Sequence, residues 1–130
     1  MSALVSVIMR TRNRPIFLSR ALASVEGQQL DDYELIIVND GGEAQIVQAA
    51  LDKTSPKLQE RTQVVNNQVS NGREAALESG LACASAPFFA IHDDDDTWDP
   101  QFLSQTVAYL QAHPHLGAVA ARTQLVSEKT

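Results

Sequence analysis

Cysteine is almost absent from this sequence of 130 residues, since Cys83 is the only one. A single cysteine excludes an intrachain disulfide and a zinc site built from several thiolates, and it favours a reducing compartment. We expect Cys83 to act as a small buried apolar residue in an alanine-rich helix.

Long apolar runs are also absent. No segment contains the roughly 20 consecutive apolar residues that a membrane-spanning helix requires, and the amino terminus lacks the apolar core of a secretion signal. The segment is therefore predicted neither to span a membrane nor to enter the secretory route by itself, and the expected location is cytoplasmic. Attachment to the inner face of the membrane would have to come through parts that are not in these 130 residues.

Positive charge is in deficit, because ten Lys and Arg stand against sixteen Asp and Glu, a net charge of −6. This balance argues against a nucleic-acid-binding surface but permits a local, metal-assisted phosphate site. The length and the ordinary glycine and proline contents predict one globular domain over residues 1–130.

Strand-like and helix-like segments alternate along the chain. Apolar, β-branched runs predict strands at Leu4–Met9, Tyr33–Val38, Thr62–Val65, Phe88–Ile91 and Gly117–Val126. Apolar residues at helical spacing predict helices from Pro15, at Glu43–Lys53, at Arg73–Ala84 and from Pro100. This alternation predicts an α/β fold with a mostly parallel sheet and helices on both faces.

In such sheets, ligands bind beyond the carboxyl ends of the strands. This rule gathers four polar loops on one rim of the predicted sheet: Thr11–Arg14, Asn39–Gly42, Asn66–Gly72 and Asp93–Asp96.

The last loop carries four consecutive carboxylates directly after an apolar strand. Unit charges about 4 Å apart interact by roughly 1 kcal/mol in water and by several times more near a protein surface, so such a run favours neutralisation by a cation. Hard divalent ions prefer oxygen ligands, and Mg²⁺ is typically held by one or two carboxylates together with substrate phosphates. Asp93–Asp96 therefore predicts a metal–diphosphate site, with a solvated acidic loop as the alternative.

Other rim residues carry weaker signals. Asp40 precedes two glycines, where a carboxylate can accept a hydrogen bond from a ligand, although a turn or capping aspartate fits the same pattern. Thr11 and Asn13 are candidates for contacts to a base or ribose. Arginine can donate two hydrogen bonds to a phosphate, and each rim arginine is a candidate for this role or an ordinary surface residue: Arg10, Arg12, Arg14 and Arg73.

Two aromatic side chains near the acidic loop are predicted to be structural. His92 is expected to face inward with its hydrogen bonds satisfied, and Trp98 is expected to pack below the loop. A G-x-S-x-G nucleophile turn, a cysteine–histidine zinc pattern and a G-x-x-x-x-G-K phosphate loop are all missing from the sequence.

Together these residues resemble the inverting glycosyltransferases of family 2, which have the Rossmann-like GT-A fold. The resemblance extends from Val5 to about Val119. It rests on residues 5–15, residues 33–41, Asn71-Gly72 with Ala76 and Gly80, and residues 93–100, in that order.

The resemblance implies roles for the rim. The Thr11 region would line the nucleoside pocket, and Asp40 would read the base edge, often of uracil. The family's D-x-D-D pattern falls on Asp93, Asp95 and Asp96, with Asp94 at the variable position. The implied nucleotide-sugar contacts are Thr11, Arg12, Asn13, Asp40, Arg73, Asp93 and Asp94. Asp95, together with Asp93, would hold Mn²⁺ or Mg²⁺.

Two departures from the family pattern stand out. Many members have Ala-Arg-Asn-x-Gly where this chain has residues 76–80, so the usual arginine is replaced by Leu77 unless Arg73 substitutes for it. Family members also continue into an acceptor side that carries the general base, so we expect the base of this protein to lie beyond Thr130. The catalytic residues are therefore left unassigned within these 130 residues.

The expected activity follows from this comparison with the family pattern. The chain is expected to be the amino-terminal, donor-binding half of an inverting enzyme and to be inactive in transfer by itself. A UDP-sugar is favoured as donor, and the acceptor is a glycan, lipid or protein.

Other classes fit less well. A receiver domain needs acidic residues after its first strand, where this chain has Arg10–Arg12, and an EF-hand loop needs glycine and glutamate where it has Trp98 and Ser104. A sugar-1-phosphate nucleotidyltransferase needs a glycine-rich loop after the first strand, which residues 11–15 do not provide. The remaining alternative is a non-catalytic nucleotide-binding or interaction module with a GT-A-like fold, which Leu77 favours.

Overall fold

The fold alternates strands and helices, as the apolar pattern predicts. A computed structural model of the chain describes residues 3–119. The elements are β1 (Val5–Thr11), α1 (Pro15–Glu26), β2 (Tyr33–Asp40), α2 (Ala44–Asp52), α3 (Pro56–Glu60), β3 (Thr62–Asn67), α4 (Arg73–Cys83), β4 (Phe88–Asp93) and α5 (Phe102–Ala112).

The four described strands are all parallel and lie in the order β3-β2-β1-β4. The predicted α/β class and parallel sheet are therefore confirmed. Each strand runs about two residues beyond its predicted end, because the ladders continue into polar residues: Thr11 pairs with Asn39, Asp40 with Asn67, and Arg10 with Asp93. As a result, Thr11, Asp40, Asn67 and Asp93 lie at the ends of strands rather than in loops.

Side chains alternate between the two faces of the sheet, and each face has its own core. The larger core joins Val7, Met9, Leu35 and Ile37 to buried residues of α1, α2 and α5. The smaller core joins Ile8, Ile36 and Val38 to Ala76 of α4. Helices therefore cover both faces, as predicted.

Helix α4 approaches the sheet very closely at Gly80. A Cβ at this position would lie 2.5 Å from Cγ2 of Ile8 and 3.1 Å from Cγ2 of Val38. The small residue is therefore required for packing. On the same face, β4 is less covered than its neighbours, and Phe89 and Ile91 are exposed.

Three other features differ from the sequence prediction. Helix α3 was not predicted, although Ser55 caps it by accepting a hydrogen bond from the amide of Leu58 at 3.2 Å, with Pro56 as its first residue. Helix α5 begins at Phe102 rather than Pro100. Residues 117–119 of the predicted final strand have no strand structure, and residues 120–126 lie outside the described part.

No helix within the described residues 3–119 has both the length and the apolar composition that a membrane-spanning helix needs.

Candidate functional site

The predicted rim exists at the carboxyl ends of the four strands. Because the strands are parallel, their last residues lie at the same edge of the sheet. These residues are Thr11, Asp40, Asn67 and Asp93. The polar loops that follow these residues therefore begin at the same edge.

Asp40 is completely buried at the end of β2. Its Oδ2 accepts hydrogen bonds from Nε and Nη2 of Arg10, both at 3.2 Å, and from Oγ of Ser70 at 2.9 Å. Its Oδ1 is also buried but receives no hydrogen bond from residues 3–119. An unsatisfied buried acceptor costs about 1–3 kcal/mol and is rare in native proteins, so it often marks a functional position. Asp40 thus has an unused acceptor for a ligand donor.

The two glycines after Asp40 bring neighbouring loops into contact with this end. Gly41 has a positive φ of 83°, and a Cβ on it would lie 2.7 Å from the amide nitrogen of Ser70. A Cβ on Gly42 would lie 2.9 Å from Oδ1 of Asn13. Only glycine accommodates these approaches, which place Ser70 and Asn13 on either side of the Asp40 turn.

Asn13 has a left-handed backbone conformation with φ of 51°, and its Oδ1 accepts a hydrogen bond from the amide of Glu43 at 2.8 Å. This contact ties the β1–α1 loop to the start of α2. The side-chain carbonyl of Asn13 is therefore engaged with the protein, and its predicted contact with a nucleotide stays a prediction.

The acidic run divides into one inward and three outward side chains. Asp94 is buried and accepts hydrogen bonds from Oγ1 of Thr11 and from Nη1 of Arg14, both at 3.0 Å. Thr11 is itself 1% exposed. The sequence predicted nucleotide contacts for Thr11 and Asp94, whereas the structure shows that these two side chains contact each other. Their role toward a nucleotide stays a prediction.

Asp93, Asp95 and Asp96 point outward and form a compact group of acceptors. One carboxylate oxygen from each lies within 4.8 Å of the other two. Partial burial, together with the charges of Asp93 and Asp95, raises the pKa of Asp96 above its ordinary value. Since Mg²⁺ and Ca²⁺ bind oxygen ligands at about 2.0–2.6 Å, this donor spacing fits one divalent cation. Asp93 and Asp95 were predicted as metal ligands, and Asp96 lies in the same group; the ligand role stays a prediction.

Arginines lie beside the acidic residues of the rim. Arg14 lies 3.9 Å from Asp95 in addition to its bond with Asp94, and Arg73 forms an ion pair with Asp93. Arg12 is exposed on the loop between β1 and α1. Guanidinium groups at both sides of the carboxylate cluster provide donors for phosphate oxygens.

The position that lacks the expected arginine is occupied by a packing residue. Leu77 packs against the smaller core. Arg73, one helical turn earlier on α4, is instead the residue whose guanidinium reaches the acidic loop. The structure therefore places a cation near Asp93 in spite of Leu77.

His92 and Trp98 occupy the structural positions predicted for them. His92 is fully buried, and burial lowers its pKa below the ordinary value, so the imidazole is neutral near pH 7. Trp98 packs against the larger core, with its ring 4.4 Å from that of His92 and 4.5 Å from that of Phe102. Both rings lie beneath the acidic loop.

The general base has no candidate among the residues that the described rim brings together. Asp40 is paired with Arg10, Asp94 is bonded to Thr11, and the other carboxylates of the acidic loop form the outward acceptor group. The base was predicted to lie beyond Thr130, and Thr130 itself is outside the described residues 3–119. Its location therefore stays a prediction.

Sequence reasoning missed three polar residues that hold the rim together. Ser70 hydrogen bonds to Asp40, while Ser24 and Gln28 of the α1 region hydrogen bond to the segment after the acidic loop. A signal existed for the last two, because Ser24 and Gln28 follow the buried residues Ala21 and Val25 at a spacing of three, in and just after helix α1. No local pattern marks Ser70.

The chain matches a known protein family and relatives with the same description. The model described as "Glycosyl transferase family 2" matches residues 6–129. An uncharacterised glycosyltransferase of Haemophilus influenzae is 30% identical over 126 residues, which are 97% of this chain and 38% of that protein. YwdF, a glycosyltransferase of Bacillus subtilis, is 35% identical over 96 residues, which are 74% of this chain and 34% of YwdF. The chain thus spans little more than a third of these relatives.

Solved structures share the fold. A mannosyltransferase of Pyrobaculum calidifontis in complex with GDP-Man and Mn²⁺ has a TM-score of 0.74 and 23% identity, over 85% of this chain and 33% of that chain. TarS of S. aureus in complex with UDP-GlcNAc has a TM-score of 0.76 and 24% identity, over 88% of this chain and 32% of that chain. These likenesses confirm the predicted Rossmann-like GT-A architecture.

Proposed function

The chain belongs to glycosyl transferase family 2, and we propose that it binds the nucleotide-sugar donor of a metal-dependent inverting glycosyltransferase. One observation carries this proposal. A buried carboxylate with an unused acceptor, Asp40, shares a rim with a group of three outward carboxylates, Asp93, Asp95 and Asp96. A nucleoside diphosphate offers complementary chemistry at its two ends, namely a donor on the base and metal-binding oxygens on the phosphates.

Asp40 would read the base. Uracil presents a single ring N–H, which matches an acceptor that has no other donor within residues 3–119. We therefore favour a UDP-sugar over other donors. Because Oδ1 of Asp40 is buried, the residues around it would have to move for the base to reach it. The exposed residues Arg12 and Asn13 would border the nucleoside on the β1 side.

Asp93, Asp95 and Asp96 would hold Mn²⁺ or Mg²⁺ at the diphosphate. Bound there, the cation would stabilise the negative charge that develops on the leaving nucleoside diphosphate. Arg14 and Arg73 lie beside this group and can exchange part of their contact with carboxylates for hydrogen bonds to phosphate oxygens. Asp94 keeps the loop attached to β1 through Thr11.

Transfer of the sugar would require more than these residues. An inverting reaction needs a general base that takes the proton from the acceptor hydroxyl, and the carboxylates of the four rim loops, Asp40 and Asp93–Asp96, already have the donor-side roles above. Since the chain spans 38% of its Haemophilus influenzae relative, we propose that it supplies the donor half of a longer enzyme whose general base lies beyond Thr130. The acceptor would be a glycan, lipid or protein, and the location would be cytoplasmic.

The non-catalytic alternative is not favoured by the structure. Its main support was the absence of arginine at Leu77, but Arg73 brings a guanidinium to Asp93. Arg73 would supply a cationic partner of the diphosphate from a different turn of the same helix.

Calorimetric titration of UDP with and without Mn²⁺ tests the proposal. The unmodified chain should bind UDP more tightly with Mn²⁺, because phosphate oxygens complete the coordination shell. Asp95→Ala should lose this enhancement. Asp32→Ala is the matched control, because Asp32 is an exposed aspartate at the opposite, amino-terminal end of β2. Equal UDP affinity with and without Mn²⁺ in all three proteins would rule out the metal–diphosphate site.

A further inference from the structure

The acidic loop is closed at its base by a chain of three hydrogen bonds. The amide of Trp98 donates to Oγ of Ser24 at 2.6 Å, and Oγ of Ser24 lies 3.2 Å from Nε2 of His92. Nδ1 of His92 lies 2.7 Å from the carbonyl oxygen of Asp93. The two ends of the loop, Asp93 and Trp98, are thus connected through two side chains.

The direction of each hydrogen bond is fixed by chemistry. A carbonyl oxygen only accepts, so Nδ1 of His92 must carry the proton. Nε2 of the neutral ring then accepts, and the Ser24 hydroxyl donates to it while accepting from the Trp98 amide. Each polar hydrogen in this connection then has an acceptor, which makes the connection geometrically specific.

Burial strengthens the same connection. His92 is 0% exposed, and its ring packs against Trp98. Removal of the Ser24 hydroxyl would leave the buried Nε2 of His92 without this hydrogen bond. The connection therefore has more influence on the loop than an exposed hydrogen bond would have.

The segment after Trp98 is held by the same end of α1. Nε2 of Gln28 donates to the carbonyl of Asp99 at 2.8 Å, and its Oε1 accepts from the amide of Leu103 at 3.1 Å. The amide of Gln29 donates to the carbonyl of Pro100 at 2.8 Å. The segment from Asp99 to Leu103, which follows the acidic loop, is thus fixed to the end of α1 by several hydrogen bonds.

We propose that Ser24 and His92 are positioning residues that hold Asp93, Asp95 and Asp96 in the spacing needed for a divalent cation and diphosphate. This role rests on the function proposed above. Three like charges within 4.8 Å repel one another and would spread apart on an unrestrained loop. A closed base keeps them together before the cation arrives, and residues behind metal ligands commonly change metal affinity by about 10- to 100-fold.

Removal of the Ser24 hydroxyl tests this role. Ser24→Ala should weaken Mn²⁺ binding in the presence of UDP by about 10-fold or more. In the ligand-free chain it should also raise acrylamide quenching of Trp98, the only tryptophan of the sequence. Ser24→Thr retains a hydroxyl and should restore both properties. Ser19→Ala is the matched control, since Ser19 is an exposed serine on the same helix.

His92→Asn tests the same positioning role with a second substitution. Its amide can still donate to the Asp93 carbonyl but cannot reach Ser24, so Mn²⁺ affinity with UDP should fall as in Ser24→Ala. The double variant should lose little more than either single variant, because both break one connection. Circular dichroism of each variant verifies that the fold is retained.

The outcomes separate the two levels of the proposal. If Ser24→Ala matches the unmodified chain in Mn²⁺ affinity and in quenching, the positioning role is wrong and the proposed function stands. If the unmodified chain itself fails to bind Mn²⁺ with UDP, the proposed function is wrong and the positioning role falls with it.

Discussion

Arg10 and Asp40 are joined through a single carboxylate oxygen, because Nε and Nη2 of Arg10 both lie 3.2 Å from Oδ2. The second oxygen of Asp40 is buried without a donor from the described residues. The ion pair therefore determines which oxygen of Asp40 is available to a ligand. This asymmetry leads to a prediction about base recognition.

Asp40→Asn should change the base preference. Arg10 and Ser70 donate to the Oδ2 position, so the amide oxygen should occupy it and the NH₂ group should take the place of Oδ1. A donor would then face the N–H of uracil, and UDP affinity should fall by about 10- to 100-fold. CDP, whose ring nitrogen accepts at the equivalent position, should lose less. Competition between UDP and CDP measures the shift, and an unchanged UDP-to-CDP ratio would make Asp40 a turn residue only.

Arg73→Gln should weaken UDP binding in the presence of Mn²⁺. The substitution removes a guanidinium that lies against Asp93 and that we propose contacts the diphosphate. A loss of about 10-fold is expected, which corresponds to about 1.4 kcal/mol. Lys53→Gln, which removes an exposed positive charge after α2, is the control for a general charge effect. Equal losses in both variants would indicate long-range electrostatics rather than contact.

Gly80→Ala should destabilise the fold. Its Cβ would meet Cγ2 of Ile8 at 2.5 Å, and Ile8 is a buried residue of central strand β1 that cannot move aside easily. Overpacking commonly costs about 1–3 kcal/mol, more than the roughly 1 kcal/mol that alanine contributes over glycine in a helix. Urea denaturation should show a lower midpoint. Gly117→Ala, where a Cβ meets nothing within 4 Å, is the control.

Glu34 should make the stability depend on pH. Although burial opposes it, hydrogen bonds from Ser6 and from the amide and hydroxyl of Ser85 hold the pKa of Glu34 below its ordinary value of 4.5. A carboxylate with a lowered folded-state pKa contributes stability that is complete above its unfolded pKa and is lost as pH falls through the folded pKa. Glu34→Gln should therefore be less stable than the unmodified chain at pH 7, and the difference should narrow below about pH 4.5. A difference that stays constant from pH 7 to pH 3 would contradict this role.

The periodicity of apolar residues was sufficient to predict the four described strands and the edge of the sheet where the rim loops meet. Apolar runs such as Tyr33–Val38 are too long and too β-branched for loops, and parallel topology then forces their carboxyl ends together. The five-residue helix α3 was missed because it is too short for a periodic signal, although Ser55 and Pro56 form a recognisable start.

The contacts within the rim could not be predicted from local sequence. Asp94 turns inward because Thr11 and Arg14 meet it, and these residues are 83 and 80 positions away along the chain. Identical neighbours such as Asp94 and Asp95 therefore differ in exposure for reasons that only the tertiary fold supplies. The contact between Arg73 and Asp93 likewise depends on where α4 begins relative to Asp93.

Paramagnetic broadening by Mn²⁺ in the presence of UDP tests the central claim most directly. In a ¹⁵N-labelled sample saturated with UDP, substoichiometric Mn²⁺ should first broaden the amide signals of Asp93–Asp96 and of the adjacent residues Arg14 and Arg73. Signals at the amino ends of the strands, such as those of Tyr33 and Ser85, should remain sharp because they lie at the opposite edge of the sheet. Broadening that spares Asp93–Asp96, or that is equal at both edges, would contradict a metal–nucleotide site on this rim.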